Sequence, residues 1–371
     1  MPYSSLFQTY RFTRGVEARN RLVMAPMTTW SSHDNGLVHD DELRYLGRRS
    51  RAVGMTITAA CYVQRSGKAF PGQWGCDDDT TLSSLQAVAD VIHECGALAV
   101  LQLHHGGRMC PASLLPDGRP LSASAVAAIR DGADIPVEMR HEEILATIEA
   151  FASATRRAID TGYDGVEIHG ANTYLVQQFF SPHSNRRQDE WGGDIERRMR
   201  FPLAVADAVF EEASRAGRPF LVGYRVSPEE IEVPGITIDE TLLLVDALAS
   251  TSLSWLHVSV RDYRAAPLRA DSGTGRPTRR IIEKVADRLP VIGVGMVHAA
   301  EDAEFMRRDG CFFVALGRIL LMEPEWVQRL LEDKPDELRQ TLPISGGDAT
   351  LDIPAPMYRM LLSRPGWLPV R

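Results

Sequence analysis

The sequence predicts a (β/α)8 barrel, on three observations. Short apolar runs alternate with longer stretches of helical period along the whole chain, which marks repeated βα units and a parallel sheet. About eight such repeats fit into about 330 residues, a count that suits a closed barrel better than an open sheet. No linker rich in Pro, Gly or Ser and no low-complexity tract divides the chain. Residues 1–371 therefore read as a single domain, with an N-terminal cap, a barrel core over about 20–334 and a C-terminal extension over 335–371.

The strands are expected at Leu22–Met27, Met55–Val63, Leu98–His104, Val166–His169, Phe220–Val226, Trp255–Val260, Val291–Gly295 and Phe312–Leu316. Each is a short apolar run, as a strand buried on both faces requires. Helical periodicity fills the gaps, for example at Ser84–Glu94, Glu142–Asp160, Glu196–Ala216 and Ala299–Arg308. Thr237 and Glu240 form a capping box that opens a helix running to about Ala249. Gly162 and Gly310 stand where helix C-terminal glycines belong. The stretch from Arg108 to Val137, punctuated by Pro and Gly, reads as a long loop after the third strand, and loops of that length usually serve function.

Composition excludes several functions. Hydrophobic residues at 44% and charged residues at 24% describe a globular chain with ample core. A net charge of −8 argues against a nucleic-acid partner, which needs a basic face. No apolar run approaches the length that crosses a bilayer, and the start Met1-Pro2-Tyr3-Ser4-Ser5-Leu6-Phe7 lacks the basic and apolar regions of a secretory leader. Cys61, Cys76, Cys95, Cys110 and Cys311 are odd in number and scattered, without a Cys-x-x-Cys pair. That suits a reducing cytoplasm and argues against a zinc or iron–sulfur site.

Polar residues recur on one face of several strands. Glu167 and His169 share a face against Val166 and Ile168, because successive side chains of a strand point to opposite sides. Gln102 with His104, Arg225 with Ser227, and His257 with Ser259 repeat the pattern, each late in its strand. Buried polar groups cost several kcal/mol unless partnered, so this parity marks a polar cavity at the C-terminal mouth, where barrel enzymes carry their chemistry. Gly293-Val294-Gly295 after the seventh strand and Gly317-Arg318 after the eighth fall where barrels commonly hold a phosphate. They do not form a dinucleotide fingerprint, since the third glycine and the ribose-binding acid are missing.

The run His169-Gly170-Ala171-Asn172-Thr173-Tyr174-Leu175, followed by Gln178-Phe179-Phe180-Ser181-Pro182, Asn185-x-Arg187-x-Asp189 and Gly192-Gly193, resembles the signature of the old yellow enzyme family. So do Asn20-Arg21-Leu22-Val23-Met24-Ala25-Pro26-Met27-Thr28 and Gln102-Leu103-x-His105-x-Gly107-Arg108, and the resemblance covers nearly the whole chain. It implies an FMN-dependent, NADH- or NADPH-oxidising reductase of activated alkenes on a (β/α)8 barrel. FMN would be bound non-covalently, its phosphate on the Gly293–Gly295 backbone, Gly317 and Arg318. Its ring system would meet Ala25, Pro26, Met27, Ala60 and Gln102, with the Thr28 hydroxyl near the flavin carbonyl and nitrogen, and Arg225 beside the pyrimidine edge. His169 and Asn172 would hold the substrate oxygen, and Tyr174 would protonate the α-carbon. The substrate would be a small activated alkene in the cytoplasm, with neither nucleic acid nor membrane as partner, no metal, and a homo-oligomer left open.

The sequence also departs from the family's pattern. Many relatives have glycine at the position of Thr173 and tyrosine at that of Trp191, and some have cysteine at that of Thr28. The cysteine-rich iron–sulfur segment of larger relatives is absent. Arg364-Pro365-Gly366-Trp367 resembles a tail that, in some bacterial relatives, reaches a neighbouring subunit's active site. Other readings are a different FMN-barrel dehydrogenase, a flavin-binding stress protein without turnover, and a barrel metal hydrolase. The last is disfavoured because Val23-Met24-Ala25-Pro26 lacks the His-x-His such a site wants.

Overall fold

A computed structural model describes residues 3–269, 273–334 and 338–371. Eight parallel strands close into a barrel. They are β1 (Leu22–Met24), β2 (Met55–Tyr62), β3 (Leu98–His104), β4 (Gly165–Gly170), β5 (Leu221–Val226), β6 (Trp255–Val258), β7 (Val291–Val294) and β8 (Phe313–Leu316). All eight expected strands are present, with ends shifted by at most three residues. The helices between them include Leu82–Glu94, His141–Asp160, Ile195–Ser214, Ile238–Ala249 and Ala300–Arg308. The Thr237–Glu240 capping box forms as expected, the Thr237 hydroxyl accepting from Glu240 N and Glu240 accepting from Thr237 N. Gly162 and Gly310 end their helices at φ 86° and 107°, a region that favours a residue without Cβ.

Strand alternation divides the core in two. Outward residues such as Leu22, Leu101, Leu103, Val166, Ile168, Val222, Leu256 and Val314 pack against the helices. Inward residues form a separate cluster of Val23, Met55, Ile57, Val100, Leu221, Trp255, Ile292 and Phe313. A short antiparallel ribbon, Tyr10–Arg11 with Glu17–Ala18, caps the N-terminal end. Phe12 beside it stacks on Phe313 with ring centroids 5.7 Å apart, plugging the barrel floor. The floor is thus dry, and the polar parity begins above it.

The register sets the order of the polar layers. Gln102 stands beside Glu167, Glu167 beside Gly223, and Gly223 beside Trp255. One step toward the mouth, His169 stands beside Arg225, and Arg225 beside His257. Gly223 is essential to the lower layer. A Cβ there would collide with the Trp255 indole, which occupies that space and donates from Nε1 to Glu167 Oε2 at 2.9 Å.

The chain beyond the barrel folds back onto it. Arg49 is fully buried and donates to the carbonyls of Leu320 (3.0 Å), Leu351 (2.8 Å) and Asp352 (3.3 Å), joining the first helix, Asp40–Ser50, to the tail. The tail continues through the helix Ala355–Leu362 and returns to the barrel mouth.

Gly223→Ala is expected to lower the unfolding free energy by about 2–4 kcal/mol, from overpacking and from loss of the indole bond to a buried carboxylate. Urea unfolding followed by tryptophan fluorescence measures this; an unchanged midpoint would mean that the indole can move aside freely.

Candidate active site

A cavity of about 510 Å³ opens at the C-terminal mouth of the barrel. β1 and the segment after it contribute Ala25, Pro26 and Met27, β5 contributes Arg225, and the ends of β7 and β8 contribute Gly295, Gly317 and Arg318. Asn172 and Ser259 line one side, and Arg364 and Trp367 of the chain's own tail line another.

The loop from β4 into the short helix Leu175–Phe180 carries two consecutive left-handed residues, Asn172 at φ 56° and Thr173 at φ 67°. A β-branched residue is strained there, by about 1–2 kcal/mol. Polar anchors hold the strain in place. Thr173 N donates to Gln177 Oε1 (2.9 Å), and Gln178 Nε2 donates to the Thr173 carbonyl (2.6 Å). Gln177 is fixed in turn by buried Glu230, which accepts from its Nε2 at 2.7 Å. The position where relatives favour glycine thus keeps the glycine conformation with threonine in it.

Hydrogen bonding fixes which groups remain free to donate. The Ala171 N–H points to His169 Nδ1 at 3.3 Å, so the proton of a neutral imidazole belongs on Nε2. His169 is neutral because burial, with His104 and Arg225 nearby, holds its pKa well below the usual value. Asn172 Oδ1 accepts from the Ser259 hydroxyl at 3.0 Å, leaving its amide N–H groups unclaimed among the described residues. His104 accepts at Nδ1 from Gln73 Nε2 (3.0 Å), whose orientation is set because Gln73 Oε1 takes the Ala69 N–H. The Tyr174 ring packs edge-on against His104 at 4.2 Å and His169 at 5.0 Å between centroids. Burial raises the pKa of its phenol, which therefore keeps its proton at neutral pH.

The Arg225 guanidinium is buried, and among the described residues no hydrogen bond reaches it. Burial lowers its pKa, opposed by Glu167 and Tyr174, without approaching neutrality. On the opposite wall, buried Glu42 holds the loop after β1. It accepts from the Thr29 and Ser32 hydroxyls and from Trp74 Nε1 at 2.6 Å. Trp30 of that loop, at φ 53°, lies under the Arg364 guanidinium, 5.5 Å from the ring centroid.

Ala25, Pro26, Met27, Asn172, Arg225, Gly295, Gly317 and Arg318, all expected at a site, line this cavity. Thr28, Ala60, Gln102, His169 and Tyr174 stand outside its lining. Gln102 is turned to Glu167 (2.8 Å), and His169 and Tyr174 form the neighbouring aromatic cluster. Gly293 does not join the cradle. It has the outward parity of Val291, and a Cβ there would meet Cys311 and Met306 in the helix layer. The tail motif Arg364–Trp367 reaches the mouth of its own chain, with Trp367 5.6 Å beneath Arg318. The Glu42 anchor was missed, since nothing local in Asp40-Asp41-Glu42 distinguishes a buried acid from a helix first-turn acid.

The model of the NADH:flavin oxidoreductase / NADH oxidase family matches residues 5–337. The chain is 41% identical over 371 residues to the probable NADH-dependent flavin oxidoreductase YqiG of Bacillus subtilis (strain 168), spanning 100% of this chain and 99% of that protein. It is 42% identical over 358 residues to the NADH:acrylate oxidoreductase of Vibrio harveyi, spanning 94% of this chain and 35% of that protein. Acrylate reduction is therefore the activity of a far longer chain. Among solved structures, the old yellow enzyme homologue from Zymomonas mobilis superposes with a TM-score of 0.76 at 25% identity, covering 89% of this chain and 93% of that one.

The buried imidazoles give a pH dependence. Burial holds His104 and His105 down to about 3, and His169 also lies well below the usual value. Their folded pKa values lie below the unfolded value near 6.5, so the unfolded chain takes up protons first as pH falls. Stability is intact above about pH 6.5 and drops below it, by up to about 1.4 kcal/mol per pH unit for each imidazole. His93, raised by its hydrogen bond to Asp164, acts in the opposite direction but is a single half-exposed group. Urea unfolding at pH 7.5, 6 and 5 is expected to give steadily lower free energies, and a flat profile would contradict the neutral assignment.

Proposed function

The chain belongs to the NADH:flavin oxidoreductase / NADH oxidase family, and on that premise we propose that it reduces the activated C=C bond of α,β-unsaturated carbonyl or nitro compounds. FMN is the cofactor and NADH or NADPH the reductant. Three features of the cavity fit FMN. Its volume of about 510 Å³ suits a ligand of that size. The buried Arg225, with no hydrogen-bond partner among the described residues, offers its guanidinium to an electron-rich edge. Among the described residues nothing accepts from the N–H groups of Met296 and Val297, where Met296 adopts φ 50° after Gly295 at 134°, a backbone turn of the kind that cradles anions.

In this reading Gly295, Gly317 and Arg318 hold the phosphate. Ala25, Pro26, Met27 and Ala60 flank the ring system, and Thr28, Gln102 and Arg225 face its polar edges. FMN held there would supply the two-electron hydride chemistry between the nicotinamide and the electron-poor carbon. The chain's own residues do the rest. His169 Nε2–H and the Asn172 amide donate to the carbonyl or nitro oxygen, polarising the alkene and stabilising the charge that builds there. A neutral imidazole suits this task, because it donates without adding a cation beside Arg225. Tyr174 gives its phenolic proton to the α-carbon, an acid strong enough for so basic a carbon. The reaction is assigned to the cytoplasm, where free thiols such as those of the five unpaired cysteines persist.

One observation carries this reading: two donors that find no acceptor among the described residues, His169 Nε2 and Asn172 Nδ2, beside a phenol that stays protonated. The test is anaerobic. NADH or NADPH should bleach the yellow protein, and cyclohexenone or maleimide should restore the colour; a protein that bleaches but recolours only with oxygen would not be an alkene reductase.

Two substitutions divide the roles. Tyr174→Phe is expected to leave flavin reduction by nicotinamide unchanged while slowing alkene turnover by about 100-fold or more in stopped flow; unchanged turnover would remove Tyr174 as the acid. His169→Ala is expected to weaken binding of phenolic ligands about ten- to hundredfold, and unaltered affinity would take His169 out of the oxygen-binding pair.

A further inference from the structure

Below the cavity lies a buried carboxylate that the proposed chemistry does not use. Glu167 on β4 is wholly inaccessible and sits at the centre of a four-strand layer. Three donors converge on it from two other strands: Gln102 Nε2 on β3 (2.8 Å), and Trp255 Nε1 (2.9 Å) and His257 Nδ1 (3.0 Å) on β6. Burial alone would raise its pKa, but the N–H groups of His257 and Trp255 and the charge of Arg225 outweigh it and hold the group below the usual carboxylate range.

An ionised carboxylate accepts and cannot donate. Gln102 must therefore present its amide N–H to Glu167, which leaves the amide oxygen as the free acceptor. His257 must likewise carry its proton on Nδ1. Burial lowers the pKa of His257, so the ring is neutral and Nε2 is a lone pair with no partner among the described residues. Counting charges, Glu167 is −1, His257 is zero, and Arg225, paired with His257 and two residues beyond the Gly223 partner of Glu167, is +1. Glu167 is the buried counter-ion of Arg225, although no direct hydrogen bond joins them.

We propose that Glu167 is a positioning residue that sets the reduction potential of the bound flavin from beneath, by fixing the face Gln102 shows it and by offsetting the Arg225 charge. The proposal rests on the reading of Gln102 and Arg225 as flavin neighbours and is independent of the alkene. A flavin carries more negative charge reduced than oxidised. An anion held below it disfavours reduction, and removing that anion frees the field of Arg225.

The experiment is potentiometry of the FMN-loaded protein. Glu167→Gln keeps the shape and the acceptor oxygen but loses the charge. It is expected to shift the reduced-to-oxidised ratio at fixed poise at least tenfold toward reduced, an upward change of about 30 mV for a two-electron couple. Arg225→Gln is expected to move the potential downward. If Arg225→Gln moves it and Glu167→Gln does not, the role of Glu167 is overturned while the flavin site stands; if neither moves it, both fall. A second readout is the 15N NMR signature of His257, assigned by its loss in His257→Asn. The wild type should show the Nδ1–H tautomer, and Glu167→Gln should keep it, because the donor-only Trp255 indole holds the variant's amide oxygen at the position that also faces Nδ1 and the new N–H turns to Gln102. An Nε2–H tautomer in the wild type would contradict the pairing even if the variant failed to fold.

Discussion

The structure depends on a single constraint, the burial of an ionised carboxylate inside a closed barrel. Glu167 is tolerable there because three N–H donors from β3 and β6 reach it. Each donor depends on something else. The indole reaches only because Gly223 leaves room for it, and His257 donates only in one tautomer. A lone buried charge would cost several kcal/mol, so the layer is either complete or strongly destabilising. The apolar floor around Phe12 and Phe313 keeps water away from below.

On this base the mouth combines two kinds of group. His104, His105 and His169 are neutral through burial and act as fixed dipoles. Arg225 keeps its charge without a hydrogen-bonded partner among the described residues, as a group does when its partner is a ligand. Neutral donors beside the buried Arg225 are what a site needs if negative charge is to appear only during reaction. Rigidity comes from outside the cavity. Glu42 fastens one wall, and Glu230, through Gln177, fastens the strained Asn172–Thr173 turn on the other. The tail held by Arg49 completes the rim with Arg364 and Trp367.

Much of this was legible in the sequence because the strands report burial directly. The outward face of the runs is mostly apolar (Thr56, bonded to Ser50, is an exception), while Gln102, His104, Glu167, His169, Arg225 and His257 share the inward parity, so parity marks the polar column. What was not legible depends on contacts distant in the chain. Gly293 looks like part of a Gly-x-Gly cradle, but its direction is fixed by the parity of β7 and by Met306 and Cys311 behind it. That Thr173 accepts a glycine conformation depends on Gln177 and Gln178 side chains whose orientation no local pattern encodes. The tail's path follows from Arg49, about 300 residues upstream of its carbonyl partners Leu351 and Asp352. Sequence gives faces readily, and registers or long closures poorly.

The central claim is that this inward polar column exists to seat one flavin at the mouth. Titration of FMN into the apoprotein, followed by quenching of flavin fluorescence, tests it most directly. One FMN should bind per chain, and the double substitution Arg225→Ala with Arg318→Ala should weaken binding at least a hundredfold. Undiminished binding by that variant would put the flavin elsewhere and leave the column without its reason.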